Sequence, residues 1–108
     1  MASNDALRGH VDAMLLSVLA EGPVHGYGAI ERIRHRSDGA LDFPSGTVYP
    51  ALKRLERRGL IEGEWESSGR SKRVYRLTSA GTKALETERT DWAATASLIT
   101  RVLGAARA

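Results

Sequence analysis

Apolar side chains between Leu7 and Ala20 recur with a helical period. Leu7, Val11, Met14, Leu15 and Val18 follow the i, i+4, i+7, i+8, i+11 spacing of one buried stripe, which predicts a first helix. Glu21-Gly22-Pro23 ends it, since Gly suits a left-handed cap and Pro cannot continue a helix. A second helix is predicted from about Tyr27 to Arg36, with Tyr27, Ile30 and Ile33 facing inward. Ser37-Asp38-Gly39 breaks it, and Phe43-Pro44 is expected to be extended because the residue before Pro avoids helical angles.

Ser45 is a good N-cap for a third helix running to about Arg58 and closed by Gly59. Pro50 removes one backbone hydrogen bond, so slight irregularity is expected there. Val48, Leu52 and Leu55 cluster on one side of this helix. Gly46, Pro50, Lys53 and Arg57 centre on the other, with Tyr49 and Arg54 at its flanks. One face is core, and the opposite face is basic with an aromatic edge. That is what a helix needs to enter a DNA groove. Two short extended runs follow, about Glu62–Glu66 and Lys72–Thr78, joined by the polar Ser67-Ser68-Gly69-Arg70-Ser71. A lone hairpin is marginal, so this one is expected to lean on the helices through Trp65, Tyr75 and Leu77.

Thr78 or Ser79 caps a last helix that could run from Ala80 to about Leu103. Its length, about 36 Å, exceeds what a small core needs. Leu85, Trp92, Ala96, Ile99 and Leu103 nevertheless keep an apolar stripe to its far end. The stripe could fold back on the first helix; pairing with a second copy of the chain is the simpler solution, and a homodimer is expected.

Composition narrows the function classes. The chain has 108 residues, enough for one domain with a long appended element and not for two independent cores. The longest wholly apolar run is Ala13 to Leu16, too short to span a bilayer, and no signal peptide is expected at the N-terminus. The absence of Cys removes disulfides, Cys-based zinc sites and thiol catalysis, and fits a cytoplasmic location. Formal charge is only +3, but it is unevenly placed. Residues 1–44 carry a net of −2, residues 45–78 a net of +4 and residues 79–108 a net of +1. The middle third holds two basic bunches: Lys53, Arg54, Arg57 and Arg58, then Arg70, Lys72, Arg73 and Arg76. A charge run can be no more than a solvated face, and its position on the third helix and hairpin decides against that here.

Three helices and a two-stranded hairpin, basic on the third helix and the hairpin, describe a mainly α winged helix-turn-helix with a long C-terminal helix. The run Ser45-Gly46-Thr47-Val48-Tyr49-Pro50-Ala51-Leu52-Lys53-Arg54-Leu55-Glu56-Arg57-Arg58-Gly59-Leu60-Ile61 resembles the recognition-helix signature of PadR-type transcriptional regulators. Gly22-Pro23-Val24-His25-Gly26-Tyr27, Glu64-Trp65, Gly69-Arg70, Lys72-Arg73-Val74-Tyr75-Arg76-Leu77-Thr78 and Gly81 match in order. Gly28 departs from the acidic residue the family often has after the Gly-Tyr pair. The resemblance covers about residues 10 to 103 and implies a dimeric repressor with no cofactor, of the subgroup with a single C-terminal dimerisation helix. It divides the chain into a DNA-binding domain, 1–78, and a dimerisation helix, 79–108.

The same resemblance assigns DNA contact to Ser45, Thr47, Tyr49 and Lys53, and phosphate or minor-groove contact to Arg70 and Lys72. The basic face adds Arg54 and Arg57, while helical geometry puts Thr47 nearer the inner side, where it could buttress the helix. Tyr49 could equally pack on its own helix. Leu85, Trp92, Ala96, Ile99 and Leu103 are the candidate dimer interface. In drug-sensing relatives that the chain resembles, a Trp at the place of Trp92 stacks on planar ligands, so Trp92 is either dimer core or an effector contact. His10, His25 and His35 lack a metal-ligand spacing, and Gly22, Gly26 and Gly28 lack the strand-turn-helix context of a dinucleotide site. No enzyme motif is present. The expected partners are a near-palindromic duplex operator, a second copy of the chain and a planar aromatic effector; the rival reading is a winged-helix protein-interaction module that does not bind DNA.

Overall fold

The computed structural model describes residues 8–66 and 72–104. After a short 3-10 turn at Arg8–His10 come α1 (Val11–Leu19), β1 (Val24–His25), α2 (Gly26–Arg36) and α3 (Ser45–Arg57). The wing follows as β2 (Ile61–Trp65) and β3 (Arg73–Leu77), and α4 (Ser79–Leu103) closes the chain. The hairpin tip, including Arg70, lies outside the described residues, as does Leu7.

The first helix begins at Val11, later than its apolar spacing suggests, and it is buried more broadly than one stripe. Val11, Leu15, Leu16, Val18 and Leu19 are all buried, because α2, α3, α4 and β3 each pack against α1. Arg32 ties α2 to the end of this central helix. Its Nη1 donates to the carbonyls of Val18, at 3.0 Å, and Gly22, at 2.6 Å, and so holds the turn that follows the helix.

In α2 the buried set is Gly26, Ala29, Ile30 and Ile33, an i, i+3, i+4, i+7 stripe. Tyr27, expected inward, is instead 67% exposed. The stripe starts at Gly26, and one residue further turns the side chain about 100° around the helix towards solvent.

The cap of α3 also differs by one position. Pro44, extended at φ −70° and ψ 155°, occupies the N-cap, and its carbonyl accepts from the N–H groups of Thr47 and Val48. Ser45 is therefore the first helical residue, with no side-chain cap bond at this end of the helix. Pro50 does not interrupt the helix. The bond it omits would run to Gly46, and both residues are exposed, so water can serve that carbonyl.

β1 was not evident from the sequence, since two residues cannot display a strand period. It pairs antiparallel with β3, Val24 opposite Tyr75, making a three-stranded sheet in the order β1-β3-β2. The hairpin is thereby paired on β3's second edge and seated on the core through buried Ile61 and Tyr75. Trp65, expected to pack inward, is 65% exposed. It lies opposite Arg73 at the far end of the ladder, past the reach of the core, with the Arg73 guanidinium 5.5 Å from its ring centroid.

Thr78 caps α4. Its hydroxyl accepts from the Gly81 N–H at 3.0 Å and donates to the Gly59 carbonyl at 2.7 Å, so one side chain joins the end of α3, the wing and α4. The 25 residues of α4 extend about 37 Å, and the molecule measures 53 × 27 × 20 Å. Leu85, only 4% exposed, is packed into the protomer's own core; the distal half of the helix projects beyond it.

Candidate nucleic-acid interface

α3 divides cleanly by burial. Val48, Ala51, Leu52 and Leu55 are buried against the other helices, while Ser45, Gly46, Tyr49, Pro50, Lys53, Arg54 and Arg57 are exposed and Thr47 is half-buried. Thr47 thus stands at the inner edge, as the helical geometry suggests. Tyr49 is partly exposed at the outer face of α3. Its ring lies against Gly26 in the first turn of α2, where a Cβ would stand 2.6 Å from Tyr49 Cε1.

The basic side chains fall into two groups that composition cannot separate. Arg54 bonds Asp12 of α1 at 2.9 Å, Arg73 bonds Glu56 at 2.5 Å, and Arg76 bonds Glu64 at 3.2 Å. Among the described residues, Lys53, Arg57, Arg58 and Lys72 have no carboxylate partner. The positive field available to a ligand therefore comes from the outer face of α3 and the base of the wing. Exposed pairs such as Arg54–Asp12 and Arg76–Glu64 contribute little to stability, so they and the half-buried Arg73–Glu56 pair are better read as orienting contacts.

Arg73 is the clearest of these. Its side chain crosses Gly63, where a Cβ would lie 2.5 Å from Nε, and reaches Glu56 on α3. The Glu56 hydrogen bond holds the guanidinium still further into its charged form. Burial, with the Glu56 charge second, pushes the neighbouring Tyr75 phenol above its ordinary value, so it stays neutral. His25 Nε2 and Glu66, 2.8 Å apart, join the end of β2 to the start of α2. Side-chain pairs thus tie the wing both to α3 and to the start of α2.

A shallow depression of about 490 Å³ is lined by Tyr49, Pro50, Lys53, Arg54, Arg57 and Tyr75. Tyr49, Lys53, Arg54 and Arg57, four of the eight residues expected at DNA, thus share one surface; Lys72 lies around its edge, in the adjoining groove with Tyr49 and Lys53. Sequence reasoning missed Tyr27 and Trp65, both exposed in that same groove. The available signal was the start of α2: with Gly26 as its first buried position, Tyr27 points outward.

A second depression, about 650 Å³, separates α1 from α4 and is lined by His10, Met14, Leu85, Trp92, Ile99 and neighbours. The ring of His10 meets Trp92 edge-on at 5.3 Å between centroids. Along this part of α4, Trp92, Leu98, Ile99, Val102 and Leu103 are 49 to 86% exposed. Ala96 is half-buried. Among the described residues no cluster of His, Asp and Glu could hold a metal ion, and no helix is long and apolar enough to cross a membrane.

Comparison with known proteins agrees with this architecture. Residues 15–87 match the Transcriptional regulator PadR-like family. The chain belongs to that family. A transcriptional regulator of Mycobacterium tuberculosis is 38% identical over 84 residues, covering 76% of this chain and 75% of its own. The structure of a transcriptional regulator from Clostridium thermocellum superposes with a TM-score of 0.86 at 32% identity, covering 94% of this chain and 97% of the other. A PadR family transcription regulator from Clostridium difficile gives 0.78 at 30% identity, with 89% and 100% covered. The family consists of transcriptional regulators, not enzymes. In this PadR-like chain the match spans α2, α3 and the wing, the elements that build the basic surface, and ends in the proximal part of α4.

Proposed function

We propose that this PadR-like regulator is a homodimeric repressor that binds a near-palindromic duplex operator and leaves it when a planar aromatic effector binds. The observation that carries the DNA reading is that Lys53, Arg57 and Lys72, which have no carboxylate partner among the described residues, are arrayed around exposed Tyr49 on α3 and the wing. With α3 in the major groove and the wing on the adjacent backbone, lysine and arginine would supply salt-dependent affinity. Sequence choice would come from Tyr49 and Pro50 at thymine methyls or from a bidentate contact to guanine. Ser45 is open to DNA at the start of α3, whereas Arg54 would have to exchange Asp12 for a phosphate. Residues 1–78 would form the DNA-binding unit and 79–108 the dimerisation helix. Two recognition helices would then address half-sites about 34 Å apart. A dimer seated on a promoter excludes polymerase by its bulk, hence repression.

Gel shifts against a duplex selected from a random pool test the DNA reading. Lys53→Ala with Arg57→Ala should weaken binding and lower the slope of log affinity against log salt by about 2. Unchanged affinity sinks this assignment of the face, and a wild-type chain that ignores duplex DNA at low salt but binds a protein favours the interaction-module reading.

The effector site we infer is the depression between α1 and α4, whose volume suits a drug-sized molecule. Trp92 offers a ring for stacking there. A Trp65→Phe chain reports on Trp92 alone, because these are the protein's two tryptophans. Saturable quenching by planar aromatic compounds is expected; an unresponsive signal removes the effector from the scheme.

A further inference from the structure

The DNA face continues past the recognition helix into a groove of about 700 Å³ between the first turn of α2, the outer side of α3 and the wing. His25, Tyr27, Tyr49, Lys53, Trp65 and Lys72 are among its walls. Its charge is positive after internal pairing. Arg73 is matched by Glu56 and His25 by Glu66, whereas Lys53 and Lys72 have no carboxylate partner among the described residues. Its walls are also unusually aromatic. Tyr27 is 67% exposed and Trp65 65% exposed, and the Tyr27 hydroxyl has no hydrogen-bond partner among the described residues. Stability gives a large aromatic ring no reason to stand in water at the first turn of a helix whose buried stripe avoids it.

Two ammonium groups beside a neutral hydroxyl donor and flat apolar rings match a sugar–phosphate strand: phosphate oxygens accept, and deoxyribose offers an apolar face. In a helix-turn-helix the helix before the recognition helix crosses the DNA backbone, and here that helix presents Tyr27. We propose that this groove seats one backbone strand of the bound duplex, with the Tyr27 hydroxyl donating to a phosphate oxygen between Lys53 and Lys72. The inference rests on the DNA-binding reading above and adds to it a contact on α2 that is indifferent to base sequence. Tyr27 would set register on the duplex; α3 would read the bases.

Tyr27→Phe in the full chain tests it, since the ring stays and only the donor goes. Binding should be measured on two duplexes of equal length, one selected by the wild-type protein and one of unrelated sequence at low salt. We expect affinity for both to fall by the same factor, about tenfold or more for one hydrogen bond to a charged acceptor. The salt slope should stay as in the wild type, because a neutral donor displaces no counterion. Lys72→Ala, by contrast, should lower the slope by about 0.9. Wild-type affinity of Tyr27→Phe on both duplexes, with Lys53→Ala still impaired, overturns the groove and leaves the DNA reading standing. A loss confined to the selected duplex overturns the backbone assignment, because it would mean that Tyr27 reads bases. A wild-type protein that binds neither duplex overturns both readings together.

Discussion

The ring of Tyr49 rests on Gly26, where a Cβ would come within 2.6 to 2.8 Å of three of its atoms. Gly26→Ala should therefore displace the ring, and the displacement is cheap because Tyr49 is partly exposed and can swing outward. Helix propensity favours Ala over Gly by up to about 1 kcal/mol, which offsets the crowding. The expected outcome is a melting temperature within a few degrees of the wild type and a DNA affinity lower by roughly tenfold, the scale of one lost base contact. Equal affinity would show that the ring's position does not matter for binding. This pairing was not legible in the sequence, where the two residues are 23 positions apart. The same holds for Arg54 and Asp12, 42 positions apart. Sequence shows how many charges a segment carries; only the fold shows which have been matched. Tyr27 is a different kind of miss, since its outward position follows from the stripe once the helix is known to begin at Gly26.

At the scale of elements, strong periodicity survives translation into structure, and so does the Thr78 cap, though not the cap expected of Ser45. α3 and α4 lie within one residue of their sequence boundaries, and the wing strands within one as well. What periodicity lacks is the number of neighbours. α1 is buried on more than one stripe because four elements surround it, and β1 exists only because β3 offers an edge for Val24 and His25. The junction of α3, wing and α4 depends on Gly81 in the same non-local way. A Cβ there would run into the Leu60 carbonyl oxygen, a backbone atom that cannot rotate aside. The first turn of α4 would have to lift, straining the bond from the Thr78 N–H to Leu60 and the Thr78 cap on Gly81. Gly81→Ala should cost about 1 to 3 kcal/mol in urea denaturation, more than the same change at Gly46, where nothing lies near the added atom. Equal stability in the two variants would mean that the junction is softer than its contacts suggest.

For the whole molecule the deciding contrast lies along α4. Leu85 and Ile99 sit on one apolar stripe in the sequence, yet Leu85 is 4% exposed and Ile99 is 49% exposed. The stripe therefore has two roles that its period alone cannot separate: a proximal part that closes the core, and a distal part whose partner we place on a second copy of the chain. Leu85→Ala should lose about 2 to 5 kcal/mol of folding stability, as a truncation in a packed core does. Ile99→Glu should leave the folded protomer intact, because the side chain is half-exposed and outside the buried core, and should bring an unpaired charge into the subunit contact. Breaking an interface in that way costs 3 kcal/mol or more, so the dimer dissociation constant should rise by more than about a hundredfold. Sedimentation at micromolar concentration would then report a monomer with a wild-type melting profile. That monomer should also bind a single half-site more weakly than the dimer binds the whole operator, since the second recognition helix no longer arrives tethered to the first. A dimer that persists in Ile99→Glu would move the interface off the distal stripe, and Val102, 86% exposed, would then have no covering surface in the scheme.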